Sequence, residues 1–104
     1  MDNPLTHENF TNYLNTEFQV ERDGEQTQLF LTEISDLRKT ERQEQFSIVF
    51  RGPLDRVLSQ GLHRFRHDQM GEFELFIVPI KRSAEDYQYE AVFNRLAEEN
   101  SSIS

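Results

Sequence analysis

Cysteine and tryptophan are absent from this chain of 104 residues. Without cysteine there is no disulfide, no thiol nucleophile, no CxxC redox pair and no thiolate-ligated zinc. Basic side chains are also scarce. Eleven Lys and Arg stand against 19 Asp and Glu, a formal net charge of -8. Nucleic acids and anionic membrane surfaces are held by excess Lys and Arg, so neither is an expected partner. The charge favours solubility and repulsion between copies. Long apolar runs are lacking as well. The longest, Leu75 to Ile80, is six residues with a proline inside it, far short of the ~20 that span a bilayer as a helix. The opening Met1-Asp2-Asn3-Pro4-Leu5 has no basic segment followed by an apolar one and does not read as a secretory signal. The expected location is cytoplasmic. Gly24, Gly52, Gly61 and Gly71 are spread singly, so no glycine-rich phosphate loop is formed.

Nine Phe and three Tyr are present instead. Aromatic side chains bury large areas and favour strands, which points to a small β-rich core built on Phe. The length suits one domain, with roughly two-thirds of the unfolded surface buried on folding. The pattern assigns residues 1–96 to a single β-rich domain and 97–104, polar apart from Ile103, to a flexible tail.

Thr6 is placed to cap a short helix over about residues 7–14, with Glu8 in the first turn and Leu5 and Phe10 as a hydrophobic staple. Two turns of helix are not stable alone, so this element is expected to cap one end of a sheet. Alternation begins with Phe18 and Val20. Asp23-Gly24 is a two-residue hairpin signal, and Thr27, Leu29 and Leu31 continue the inward parity on the return strand. Phe30 and Ile34 fall on the opposite parity, which reads as a bulge or as two partly buried faces. The charged stretch Asp36 to Glu44 is read as an exposed hairpin loop. Phe46, Ile48 and Phe50 mark the next strand, which Gly52-Pro53 stops. Leu54, Val57 and Leu58 have the spacing of a single helical turn.

Gln60-Gly61 opens a strand with His63, Phe65 and His67 on one face and Leu62, Arg64 and Arg66 on the other. A tight turn at Asp68 to Gly71 leads into Phe73, Leu75 and Ile77. Beyond them Phe76, Val78 and Ile80 make the other face apolar too, so this strand is expected to be covered on both sides in its second half. Pro79 belongs at an edge or bulge. Tyr87, Tyr89, Ala91 and Phe93 form the inner face of a last strand. The fold class is mainly β: about six antiparallel strands forming a small barrel or sandwich, with a short N-terminal helix.

Residues 46–95 carry a recognisable series: Phe46-Ser47-Ile48-Val49-Phe50-Arg51-Gly52-Pro53, Leu58-Ser59-Gln60-Gly61, His67 with Met70-Gly71, Leu75-Phe76-Ile77-Val78-Pro79-Ile80, and Tyr89-Glu90-Ala91-Val92-Phe93-Asn94-Arg95. The order resembles an uncharacterised bacterial domain family that reads FSLxFxGP, LxQGxY, HxxLG, LFLVPI and YEAVFNR. Leu5 to Phe10 also fits its start. His63 stands where that family usually has Tyr, and Met70 where it has Leu. The resemblance implies no assigned activity and no defined site residues. It implies an association with tail-like or fibre assemblies.

His63 and His67, with Phe65 between them, could share a metal only if further ligands such as Asp68 or Glu72 joined them. The structural alternative has His67 bonded to the following turn and His63 filling a Tyr-sized position. Ser35, Ser47 and Ser59 lack a GxSxG context, and acid pairs such as Glu72 with Glu74 are the solvated faces of an acidic chain. Arg95 suits an ion pair with Glu72 or Glu90, or a polar patch with Asn94 at a partner interface. Gln60 serves a turn or a partner in the same way. No catalytic residue, metal or cofactor is assigned. The expectation is a non-enzymatic assembly or protein-interaction module, with a protein partner or homo-oligomer, touching that partner through Gln60, His63, His67, Asn94 and Arg95. The alternatives are a small-molecule or carbohydrate-binding β-barrel and an enzyme with an unrecognised site.

Overall fold

In the computed structural model the described residues are 5–22 and 24–96, with Arg95 and Leu96 described by backbone alone. The tail expected over 97–104 lies outside them, as does Asp23 of the hairpin dipeptide. A helix, α1 (His7–Asn12), precedes seven strands: β1 (Glu17–Arg22), β2 (Glu25–Ile34), β3 (Arg38–Lys39), β4 (Gln43–Gly52), β5 (Gly61–His67), β6 (Gly71–Arg82) and β7 (Tyr87–Leu96). All pairings are antiparallel.

The strand order is β2-β1-β5-β6-β7-β4-β3, and β2 also pairs with β4. That extra pairing closes six strands into a ring and decides for a barrel over a sandwich. β2 makes the closure because it serves two neighbours. It faces β1 from Glu25 to Phe30 and β4 from Phe30 to Ile34. A register shift between Leu31 and Glu33 supplies the bend. It also accounts for the parity of Ile34, which packs on the core, while Phe30 stays on the outside. β3 is an edge strand added to β4 beyond the end of β2.

The ring is filled by side chains. Phe18, Val20, Leu29, Leu31, Ile48, Phe50, Phe65, Ile77 and Tyr89 are fully buried inside it. Each belongs to the inward parity of its strand, as the period-two pattern requires. The two ends are closed by different means. At one end Thr6 Oγ1 accepts the Asn9 N–H and caps α1. The helix then drives Phe10 among Phe18, Phe46, Phe73 and Phe93, with ring centroids 5.4 to 6.4 Å away. Asn15 turns the chain into β1 at φ 68°, a left-handed conformation that Asn tolerates. At the other end the segment 53–60 folds over the opening and buries Leu58, whose N–H donates to the Tyr89 hydroxyl at 2.9 Å. No helical turn forms in this segment. Leu58 is buried, and Val57 points out because it has no neighbouring layer to pack on. Gly52 lets this end close: a Cβ there would overlap Leu29 Cδ2 inside the barrel.

The second half of β6 is not covered on both sides. Phe76 is 53% exposed and Ile80 46% exposed. The only helix among the described residues sits at the barrel's end, so no layer lies over the strand's outer face. Pro79 falls at a register shift between β6 and β7, where its missing N–H is tolerated. No helix among the described residues is long and apolar enough to cross a membrane.

Candidate functional site

The five residues singled out from the sequence do not converge. His67 lies at the α1 end of the barrel and His63 near the Leu58 end, on the same inward face of β5. Gln60 is exposed just before β5, and Asn94 is exposed on the outer face of β7. Arg95 pairs through its backbone with Glu44, and its side chain lies outside the described residues.

His67 is 6% exposed and every polar atom of its ring is occupied. Nδ1 accepts the N–H groups of Gln69 and Met70 at 3.0 and 3.2 Å. Thr16 Oγ1 donates its single proton to the Tyr13 carbonyl at 2.6 Å, so His67 Nε2–H donates to Thr16 Oγ1 at 2.9 Å. The imidazole is therefore the neutral Nε2–H tautomer, packed between Tyr13 and Phe18. It builds the turn into β6 and ties the α1–β1 link to β5. His63 donates Nε2–H to the Ser59 carbonyl at 2.8 Å, and His7 contacts the Ser35 carbonyl at 2.8 Å while its ring meets Phe46 edge-on. Among the described residues no group of three or more His, Asp or Glu is placed to hold a metal.

Burial holds the His67 pKa below its ordinary value of 6.5, against a smaller raising effect of Asp68. A group with a depressed folded pKa that is neutral when deprotonated binds more protons unfolded, so stability falls as pH drops below about 6.5. A protonated Nδ1 would also face two N–H donors. The urea midpoint of the wild-type chain is expected to fall between about pH 7.5 and pH 5.5, and His67→Gln should flatten that dependence. Equal pH slopes in both proteins would show that His67 is not the responsible group.

The structure brings two other surfaces together. On the outer face of β5 and β6, Leu62 and Phe76 are directly opposed. Val92 lies on the outer parity of neighbouring β7, two residues past the Val78–Glu90 pair. Leu62 is 62% exposed and Val92 65%. Asn94 and Gln60, two of the residues picked from sequence, follow and precede members of this set along their strands. The signal in the sequence is the second apolar parity of Phe76, Val78 and Ile80, which reads as burial under another layer, whereas Leu62 and Val92 fall on outward parities among polar residues.

The second surface is a groove of about 570 Å³ on the outside of β2. Gln26, Gln28 and Phe30 follow one another along the outer face of that strand, and Gln19 of β1 is opposite Gln28. Arg51, cross-strand from Phe30, and the segment holding Asp55 and Arg56 form the other wall. Arg51 is paired with Asp86 at 3.4 Å, and Arg56 with Glu25. Phe30 on the wrong parity was the only trace of this groove in the sequence.

No curated protein and no solved structure matched the chain. A family model did match, over residues 5–93, which is most of the chain. The chain therefore belongs to that family, DUF6916, described as a domain of unknown function.

Proposed function

We propose that this barrel is a non-enzymatic interaction module that docks a protein partner on the outer face of β5, β6 and β7, as an accessory of a larger assembly such as a tail-like or fibre structure. The observation that carries this reading is the exposure of Leu62, Phe76 and Val92 on adjacent strands. Sheet faces with this composition are ordinarily covered, and contiguous exposed apolar side chains mark interaction surfaces. The histidines are used structurally: both ring nitrogens of His67, and Nε2 of His63 and His7, are bonded to protein groups that hold turns and loops in place.

Charge selects the occupant. A second copy would bring another -8 against the first, whereas a partner of net positive charge gains from the same field in its encounter rate. The partner inferred is a basic protein that presents an apolar ridge.

The test is photo-crosslinking from position 76 in the native host, followed by titration of the captured protein against purified wild type and a Leu62→Ser, Phe76→Ser double variant. A basic partner should be captured from position 76 and not from Glu41 or Glu17. The double variant should bind at least about tenfold more weakly, because exposed apolar anchors carry most of such an interface. Its own stability should stay within about 1 kcal/mol of wild type, since neither side chain is in the core. Equal affinity of the variant, or self-association of the wild type through this face, would overturn the reading.

A further inference from the structure

The barrel interior offers a ligand no room, because Phe10 closes one end, Leu58 the other, and fully buried side chains fill the space between. The groove outside β2 is different in its chemistry. Its volume of about 570 Å³ falls inside the range of small-ligand sites, roughly 300–1,000 Å³. Among the described residues the side chains of Gln19, Gln26, Gln28 and Asp55 have no hydrogen-bond partner in the protein. Each amide offers two N–H donors and one carbonyl acceptor. Three of them thus sit side by side on two strands, with their hydrogen-bonding groups unspent.

Both arginines of the groove are already held. Arg51 is held by Asp86 and Arg56 by Glu25. An anion would have to displace a carboxylate to reach either guanidinium. A simple cation would meet Asp55 and Glu85, which neither arginine holds, but it would leave the amide N–H donors of Gln19, Gln26 and Gln28 unused. What remains is a lining of amides that donate and accept and of carboxylates, Asp55 and Glu85, that accept, next to one exposed aromatic ring, Phe30, 46% accessible. A ligand matched to it carries several groups that are each donor and acceptor, plus an apolar face of C–H groups to lie on the ring. Hydroxyls on a pyranose ring meet both conditions.

We propose that the groove along the outer face of β2 is a binding site for a neutral saccharide, with Phe30 as its stacking platform and the amides of Gln26, Gln28 and Gln19 as its hydroxyl readers. Asp55, across the groove, accepts from a further hydroxyl. Along a strand, alternate side chains repeat every ~6.7 Å, so the strip from Gln26 to Phe30 spans about two sugar rings. The ligand class is therefore a disaccharide unit, free or within a chain. The proposal stands on a different face from Leu62, Phe76 and Val92, and neither reading depends on the other.

The experiment is a two-dimensional amide NMR titration of the whole chain with cellobiose, maltose, lactose and N,N'-diacetylchitobiose, and separately with inorganic phosphate. Saturable shifts are expected for at least one disaccharide, centred on the Gln26 and Gln28 side-chain amides and the backbone around Phe30. Phe30→Ala and Gln28→Ala should each weaken that binding by about tenfold. Both side chains are on the outer surface, and unchanged spectra elsewhere in the barrel verify that each variant folds. Absence of saturable shifts with all four sugars, shifts that survive both substitutions, or saturation by phosphate alone would overturn the proposal.

Discussion

Replacing Phe10 with Ala is expected to destabilise the barrel by about 3–5 kcal/mol, the cost typical of removing a buried aromatic ring and leaving its cavity. Phe10 is fully buried and meets four other phenylalanine rings contributed by β1, β4, β6 and β7. Its loss touches four of the six barrel strands at once. A domain of this size has a total stability of about 5–15 kcal/mol, so the variant should be partly unfolded near its growth temperature. The helix that carries the ring is six residues long and holds together only while packed. Urea denaturation followed by circular dichroism gives the number, and limited proteolysis shows whether α1 comes away first. Phe10→Leu, which keeps most of the volume, should cost much less. A loss below about 1 kcal/mol for Phe10→Ala would mean that α1 lies against the barrel without plugging it.

Tyr89→Phe is expected to cost about 1–3 kcal/mol although it removes one oxygen atom, because the Leu58 N–H that donates to that oxygen is buried and would be left without an acceptor. Tyr89 is itself fully buried, and burial holds its hydroxyl above the ordinary tyrosine pKa, with the bond from Leu58 opposing in part. The hydroxyl is neutral across the working range. The effect should appear locally as well as globally. The segment 53–60 is fastened by this bond, by the Arg22 guanidinium on the Val57 carbonyl, by His63 Nε2–H on the Ser59 carbonyl and by the Arg56–Glu25 pair. Of these the Tyr89 bond is the only buried one, so exchange protection of the Leu58 amide should fall sharply in the variant. Because Asp55 and Arg56 wall the groove outside β2, a looser segment should also weaken any ligand there. An unchanged Leu58 exchange rate would show that the segment is held by its exposed contacts instead.

The two substitutions separate what local chemistry encodes from what closure adds. The helix cap at Thr6, the alternation of Phe18 with Val20 and of Phe46 with Ile48 and Phe50, and the turn at His67 were all legible, because each is decided within a few residues. The two-residue link from Arg22 to Glu25, with Gly24 at φ 83°, belongs with them. His67 is the clearest case, since the two N–H groups it accepts are two and three residues ahead of it.

What was not legible joins residues far apart in the chain. Tyr89 finds Leu58 across 31 positions, and His7 finds Ser35 across 28. No local pattern names such partners. The choice of a barrel over a sandwich turned on one extra residue in β2, which lets a single strand pair with β1 and then with β4. Alternation reveals that a strand has two faces, and it does not reveal what lies over the outer one. For that reason Phe76 and Ile80 read as covered and are open, and Phe30, whose parity reads as a bulge or a second half-buried face, lies beside a bulge and lines a groove. Side-chain parity and backbone preference are properties of neighbours, so residue order is enough for a mainly β chain, a Phe-built interior and a capped helix. Which apolar and amide side chains share a surface follows from ring closure, because closure sets which strands lie side by side and therefore what a partner or ligand meets.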